Sequence, residues 1–132
     1  MLVTTKGRYA LRLMLNVASH SDDGKVALRQ IAEEEAISLK YLEQLAHSLV
    51  KANLLASVRG HGGGYTLTQD ADTIRIGDVL RAAEGSTVPV ACSGLENGCP
   101  RERVCSAISF WAGLDDVIEN YVDGVTLAEL LA

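Results

Sequence analysis

Three patterns predict a mostly α-helical fold with a small β-hairpin. Apolar residues recur at helical spacing over 8–20, over 39–51 and from Val104 onward. Two short segments with period-two alternation, 54–60 and 65–70, flank a glycine cluster, which is typical of a hairpin. A chain of 132 residues fits one domain, since domains run to roughly 100–200 residues.

The elements are predicted in chain order from their periodicity and their boundary residues. Residues 8–20 form a first helix that is apolar around much of its circumference, so we expect it to be buried on more than one side. After a turn at 19–25, a short helix begins at Leu28 and runs into an acidic triplet, Glu33–Glu35. Ser38 is a good N-cap for the next helix, which ends near Asn53, a plausible left-handed cap.

The second half of the chain contains the predicted hairpin and two further helices. A short helix covers Ile76 to Ala83, and an irregular segment, 85–103, follows it. A long helix then begins at Val104, and a final apolar turn closes the chain. We therefore divide the chain into a helix-turn-helix domain with a hairpin wing (1–84), a cysteine-bearing loop (85–103) and a helix with a C-terminal turn (104–132).

Charge is distributed unevenly, and this bears on the partner. The net charge is −5, yet residues 1–64 carry a net of +2 and residues 65–132 a net of −7. Such asymmetry suggests one half that faces a polyanion and another half that faces something else. No apolar run approaches the roughly 18–20 residues of a membrane span, and the N-terminus lacks a signal-peptide pattern, so we expect a cytoplasmic protein.

The helix-turn-helix and hairpin over 28–69 predict a double-stranded DNA reader. A tight turn between two helices presents the second helix to the major groove. Its polar face can bond base edges or phosphates, and Arg59 beside the glycine tip can enter a minor groove. The bland alternative is a small domain whose charged helix face is merely solvated. The polar face comprises Lys40, Tyr41, Gln44, Ser48 and Lys51.

Three cysteines form the second constellation. Cys92 and Cys99 lie in the irregular loop, and Cys105 is expected at the start of the long helix, where the helix terminus and nearby arginines favour thiolate. Three thiolates on one loop suit iron–sulfur ligation or zinc. The spacing is not CxxC, which weakens the zinc-ribbon and thioredoxin interpretations, and three unconnected cysteines remain an alternative.

No catalytic set is present, so the sequence does not predict an enzyme and gives no small-molecule substrate. The three histidines, His20, His47 and His61, are far apart in sequence, and none adjoins a plausible nucleophile. The acidic triplet Glu33–Glu35 is most simply a solvated helix face.

The segments TTKGRYALRLMLNVA, IAEEEAISLKYLEQL and SVRGHGGGYTL, together with the cysteine loop, resemble the bacterial winged helix-turn-helix regulators typified by IscR and NsrR, and IscR-like iron–sulfur regulators most of all. The resemblance runs from Thr4 to Leu131. It implies a homodimer that is joined through the long C-terminal helix, binds a palindromic operator and carries one iron–sulfur cluster per subunit, with [2Fe–2S] favoured over [4Fe–4S].

The resemblance also implies roles for individual residues. The recognition helix would run from Ser38 to Lys51, and Glu43 resembles the residue that discriminates between operator classes. The wing contact would be Arg59 with the tip residues Gly60, His61 and Gly62. The cluster ligands would be Cys92, Cys99 and Cys105.

Two departures concern the fourth cluster ligand. The IscR pattern has a histidine three residues after the third cysteine, where this chain has Ile108. The NsrR pattern takes an aspartate from the partner's first helix, where this chain has Arg8. His61 replaces the proline usual at the wing tip.

These features define the predicted function and its rivals. We expect a DNA-binding repressor that senses iron–sulfur status, redox state or nitric oxide. The nearest rival is the same dimer with the cysteines acting as a metal-free thiol switch or zinc site. The rival of another class is a small iron–sulfur redox protein without a DNA role. The dimer contact is predicted on the stripe of the long helix that comprises Val104, Ala107, Trp111, Leu114 and Ile118.

Overall fold

The computed structural model describes residues 3–60, 62–90, 92 and 98–132. These residues form helices and one antiparallel two-stranded hairpin, as predicted. The elements are α1 (Thr5–Ser19), a 3-10 turn (Ser21–Asp23), α2 (Leu28–Glu35), α3 (Leu39–Lys51), β1 (Leu55–Val58), β2 (Gly64–Leu67), α4 (Ile76–Glu84), α5 (Ile108–Asp123) and α6 (Leu127–Leu131).

Helix α1 lies at the centre of the fold. Leu13 and Met14 are fully buried, and the helix packs against α3, α4 and α6. Its prediction as a helix buried on more than one side is therefore confirmed. The helix begins at Thr5 rather than near residue 8, because Thr4 caps it by accepting a hydrogen bond from the Lys6 amide.

The turn between α2 and α3 is fixed by three consecutive residues. Ala36 closes α2 in the left-handed conformation (φ 55°), Ile37 is buried, and the Ser38 hydroxyl accepts from the Tyr41 amide at 3.2 Å. The predicted N-cap at Ser38 is confirmed. Asn53, the predicted left-handed residue after α3, has φ 63°.

The hairpin is held to the helical body by a short bridge. Its register pairs Leu55 with Leu67, and Tyr65 exchanges backbone hydrogen bonds of 2.8 and 3.0 Å with Val26, just before α2. A side chain at Gly64 would collide with the Val26 backbone, so this approach requires glycine. The wing is therefore positioned directly by the helix-turn-helix.

Helix α5 begins four residues later than predicted, at Ile108 rather than Val104. Val104 lies in a turn and is 70% exposed. The assignment of Ile118 to a partner contact needs correction, because Ile118 packs against the chain's own core. Val122, one turn further along α5, is buried in that core. None of the helices in the described part of the chain is long and apolar enough to span a membrane.

Candidate nucleic-acid interface and cysteine site

The α3 helix presents a polar face to solvent and an apolar face to the core. Leu42, Leu45, Ala46 and Leu49 are buried. On the opposite side an open concavity is lined by Lys40, Glu43, Gln44 and His47, and Lys51 is exposed at the end of the helix. The structure therefore brings three predicted contact residues together and adds His47, which the sequence reasoning considered only as a catalytic candidate. His47 follows Gln44 by three residues and Glu43 by four, and this spacing indicates that the three share one face of the helix.

Two predicted contact residues are partly engaged within the protein. The Tyr41 ring makes an edge-on contact with Tyr9 of α1, with 5.9 Å between centroids, and packs against the core. The Ser48 hydroxyl donates to the Gln44 carbonyl at 3.4 Å. Tyr41 thus supports the position of α3 on α1 besides facing outward.

The wing tip follows β1 and turns on glycine. Arg59 is exposed. Gly60 and Gly62 have φ of 104° and 70°, backbone conformations that residues other than glycine rarely adopt. His61 lies outside the described residues. The exposed Arg59 side chain therefore directly precedes a bend that only glycine makes without strain.

The interpretation of the acidic triplet as a solvated helix face was wrong for Glu34 and Glu35, whereas Glu33 is exposed. The Asn16 amide, on the buried face of α1, donates to the carboxylates of Glu34 at 2.9 Å and Glu35 at 3.0 Å. Arg12 donates to the Glu35 carboxylate at 3.2 Å. Glu34 and Glu35 therefore hold α2 against α1, in contacts between residues about twenty positions apart that local periodicity does not reveal.

His20 completes this network at the end of α1. Its imidazole lies 3.1 Å from Glu34 and 3.1 Å from Asp23, and these two hydrogen bonds, that to Glu34 first, raise the pKa of His20 above 6.5. Hydrogen bonds from Gln30, Asn16 and His20 lower the pKa of Glu34 to about 2. The imidazolium with two carboxylate acceptors is the form that the geometry favours.

The three cysteines are free thiols on the segment between α4 and α5. Cys92 is exposed, and Cys99 and Cys105 are half-buried. Backbone hydrogen bonds from Glu102 to Cys99 (3.0 Å) and from Cys105 to Arg101 (2.8 Å) fold residues 99–105 into consecutive turns. Cys105 does not open α5 as predicted: the helix begins three residues later, so its N-terminus is not the direct neighbour of that thiol.

Cys92 lies beside the first turns of α5. It lines a cavity together with Ile108 and Trp111 on that helix, and with Ala112, Asp115 and Asp116 further along. Ile108 is the position at which the resembling proteins have a histidine ligand. The structure thus places Cys92 beside this position, but the isoleucine side chain there is a hydrocarbon and has no atom that binds a metal.

The donor set fits an iron–sulfur cluster in its chemistry. Thiolates are the usual ligands of such clusters, and the three thiols here are uncommitted to disulfides. Within the described residues, however, no group of three His, Cys, Asp or Glu side chains is arranged to hold a metal ion. Ligation by all three thiolates would therefore require Cys92, Cys99 and Cys105 to lie closer together than they do here.

An exposed apolar face runs along α5. Phe110, Val117 and Tyr121 are 63%, 65% and 72% exposed. Between them, Ser109, Phe110, Gly113, Leu114 and Val117 line an open groove. A methyl group at Gly113 would have no atom within 4 Å, so the face is open at its centre.

A helix-turn-helix with a hairpin wing and an exposed polar face on its second helix is the architecture of a winged-helix DNA-binding regulator. Residues 3–132 match the Rrf2 family, described as iron-dependent transcriptional regulators, and the chain belongs to this family. It acts in DNA-binding regulation of transcription and is not an enzyme, so a redox protein without a DNA role is not supported.

Relatives and solved structures agree with this assignment. The chain is 47% identical to the HTH-type transcriptional regulator IscR of Yersinia pseudotuberculosis, covering 99% of this chain and 79% of that protein. It is similar to the structure of T. potens IscR (TM-score 0.80, 37% identity, 99% and 86% covered). It is equally similar to CymR, the global cysteine regulator of B. subtilis (TM-score 0.80, 36% identity, 98% and 95% covered).

Proposed function

We propose that this chain is a homodimeric repressor that binds a palindromic operator and whose affinity is set by an iron–sulfur cluster on Cys92, Cys99 and Cys105. The observation that carries this proposal is the location of the three free thiols, on the one segment that joins the winged-helix domain to α5. A change in that segment acts on both the DNA reader and the dimer contact. The protein would act in the cytoplasm, without a membrane partner.

The reading surface is the exposed face of α3. Gln44 is suited to adenine edges, whereas Lys40 and Lys51 are suited to guanine or phosphate. Glu43 accepts hydrogen bonds only and so favours cytosine amino groups over phosphates. Ser38, at the N-cap, and Arg59, on the wing, extend the contact to the backbone and to a minor groove.

A second copy of the chain would cover the apolar face of α5. Three large apolar side chains more than 60% exposed on one helix face are unusual on a monomer of this size. A two-fold contact along α5 would repeat the same face on both subunits and place two α3 helices toward successive major grooves, about 34 Å apart. Gly113, at the centre of the groove, permits close approach of the two helices.

The cluster would be held by the thiolates of the three cysteines, and a fourth ligand would come from elsewhere. When bound, such a cluster would supply a reversible, oxidant-sensitive cross-link between the loop and the turns that precede α5. The likeness to IscR favours [2Fe–2S] over [4Fe–4S]. Because Ile108 cannot ligate iron, the fourth position would exchange readily, which suits a sensor of iron–sulfur status, redox state or nitric oxide.

Anaerobic purification with visible absorption and Mössbauer spectroscopy tests the cofactor directly. We expect a coloured protein with about one cluster per chain that is lost on replacing any one cysteine by alanine, since two thiolates hold a cluster poorly. The fold, which depends on the apolar helices, should survive in each variant. A colourless, iron-free protein that resists reconstitution would contradict the proposal.

A second candidate uses the same dimer with a metal-free thiol switch or a zinc site. The observation that favours it is that the described thiols are free and at least partly exposed, and are not gathered into one metal-binding group. In this case operator affinity would respond to peroxide or zinc in iron-free protein. An iron-dependent response that is absent from the iron-free protein would exclude it.

A further inference from the structure

His47 lies at the centre of the exposed face of α3. It lines the open concavity there together with Lys40, Glu43 and Gln44, and all four residues belong to this one helix. They occupy positions i, i+3, i+4 and i+7, which a helix presents as a single stripe. Seven residues make nearly two turns, so His47 lies within about 20° of Lys40 around the helix axis. The buried residues of α3 lie on the opposite side.

The imidazole of His47 is available to a partner outside the chain. The residue is exposed, and the described part of the chain gives its ring no hydrogen bond and no ion pair. His20 differs in this respect, since its ring lies 3.1 Å from both Glu34 and Asp23. His47 is therefore a free hydrogen-bonding group on the face that the helix-turn-helix presents to DNA.

The neighbours of His47 indicate which part of the DNA it meets. The Glu43 carboxylate lines the same concavity one turn earlier, and it would repel a phosphate that lay there. Lys40, two turns from His47, is free to reach a phosphate at the other end of the stripe. In homeodomains, residues with this same spacing on one helix contact the major groove. A side chain as short as histidine, at the centre of such a face, reaches base edges rather than the phosphates on either side.

We propose that His47 is a base-reading residue that donates a ring N–H to N7 of a guanine in the major groove. The inference rests on the proposed binding of α3 to an operator. An imidazole has at least one N–H donor in either protonation state. Guanine has a second acceptor, O6, beside N7, whereas adenine has an amino donor there that would oppose the imidazole N–H. Together with Glu43, which accepts from cytosine, His47 gives α3 a preference for G·C pairs.

Replacing guanine by 7-deazaguanine tests the contact, because this base lacks N7 and still pairs with cytosine. The probe is the duplex that the anaerobically purified wild-type protein enriches from a randomised pool, and each guanine of one half-site is replaced in turn. At one guanine we expect the Kd of the wild type to rise by a factor of about 2–12, the contribution of one hydrogen bond. His47→Ala should bind the unmodified duplex more weakly by a similar factor and show no further loss at that guanine.

Two further variants separate base reading from a structural role. His47→Lys keeps a donor that pairs with guanine, so it should restore the sensitivity to 7-deazaguanine at that position. His20→Gln removes an imidazole at the end of α1, off the reading face, and should keep the wild-type pattern of sensitive guanines.

The pattern of sensitive guanines decides the outcome. A His47→Ala protein that keeps the wild-type pattern overturns the inference, even if its Kd rises equally on all duplexes, because a uniform loss indicates a phosphate contact. A wild-type protein without any sensitive guanine overturns it as well. If the wild type enriches no duplex from the pool, the proposed function itself is overturned.

Discussion

The His20 imidazole and the Glu34 carboxylate, 3.1 Å apart, join the end of α1 to α2. This contact is one of several by which the first helix of the helix-turn-helix is fixed by charged groups rather than by apolar packing alone. Of the residues of α2, only Ile31 is fully removed from solvent. The contacts that hold α2 therefore include a titratable imidazole as well as a buried apolar side chain.

The first prediction concerns this pH dependence. The raised pKa of His20 adds stability below pH 6.5, and this stability is lost as pH rises through the folded-state value. The lowered pKa of Glu34 adds stability above about pH 4.5, which is lost as pH falls toward 2. The melting temperatures of wild type and His20→Gln should therefore differ most near pH 5–6 and converge above neutrality.

The control for that experiment is His47→Gln, a histidine on the exposed face of α3 for which the described residues give no hydrogen bond. Its melting temperature should follow that of the wild type across the range. A His20→Gln difference that is the same at every pH would show that the contact acts by packing and not by charge.

The second prediction concerns the buried amide of Asn16. Asn16→Asp replaces a donor by an acceptor facing Glu34 and Glu35, so we expect a loss of about 2–4 kcal/mol in the free energy of unfolding, measured in urea. Adding Glu34→Gln restores a donor to the pair and should recover part of the loss. If the double variant loses as much free energy of unfolding as the two single variants together, or more, the hydrogen bonds seen here do not carry the effect.

Much of the DNA-reading domain was predictable because its signals are local. Ser38 as an N-cap, Asn53 as a left-handed residue and the glycine cluster of the wing each act within a few positions. The Asn16–Glu34 and Arg81–Glu119 contacts were not predictable, since each joins residues 18 or more positions apart and no periodicity marks them. Ile118 was assigned to a partner because helical spacing gives the apolar stripe but not which neighbour covers it.

The third prediction concerns the apolar face of α5. Gly113→Leu has room in the single chain but would fill the groove that a second copy would occupy in the proposed dimer, so sedimentation should show a shift from dimer to monomer. Gly113→Ala is the graded control, because alanine favours helix by about 1 kcal/mol and adds only one methyl group. A Gly113→Leu protein that remains a dimer would place the interface elsewhere.

The fourth prediction separates base reading from phosphate contact on α3. Gln44→Ala should relax the preference at one base position per half-site, at a cost of about 1–3 kcal/mol. Lys51→Ala should weaken binding to all sequences alike and reduce the salt slope by about 1 per lost contact. Arg75→Ala, which removes a charge near the start of α4, is the control. Equal losses on every sequence for Gln44→Ala would show that this residue does not read bases.

The most direct test of cluster-controlled DNA binding is the operator Kd of one anaerobic preparation, measured before and after its iron is removed by chelation. Mössbauer spectra of the same samples establish the cluster content of each state. We expect at least a fivefold change in operator Kd between the two states, reversed on reconstitution. An operator affinity that is identical with and without the cluster would contradict it.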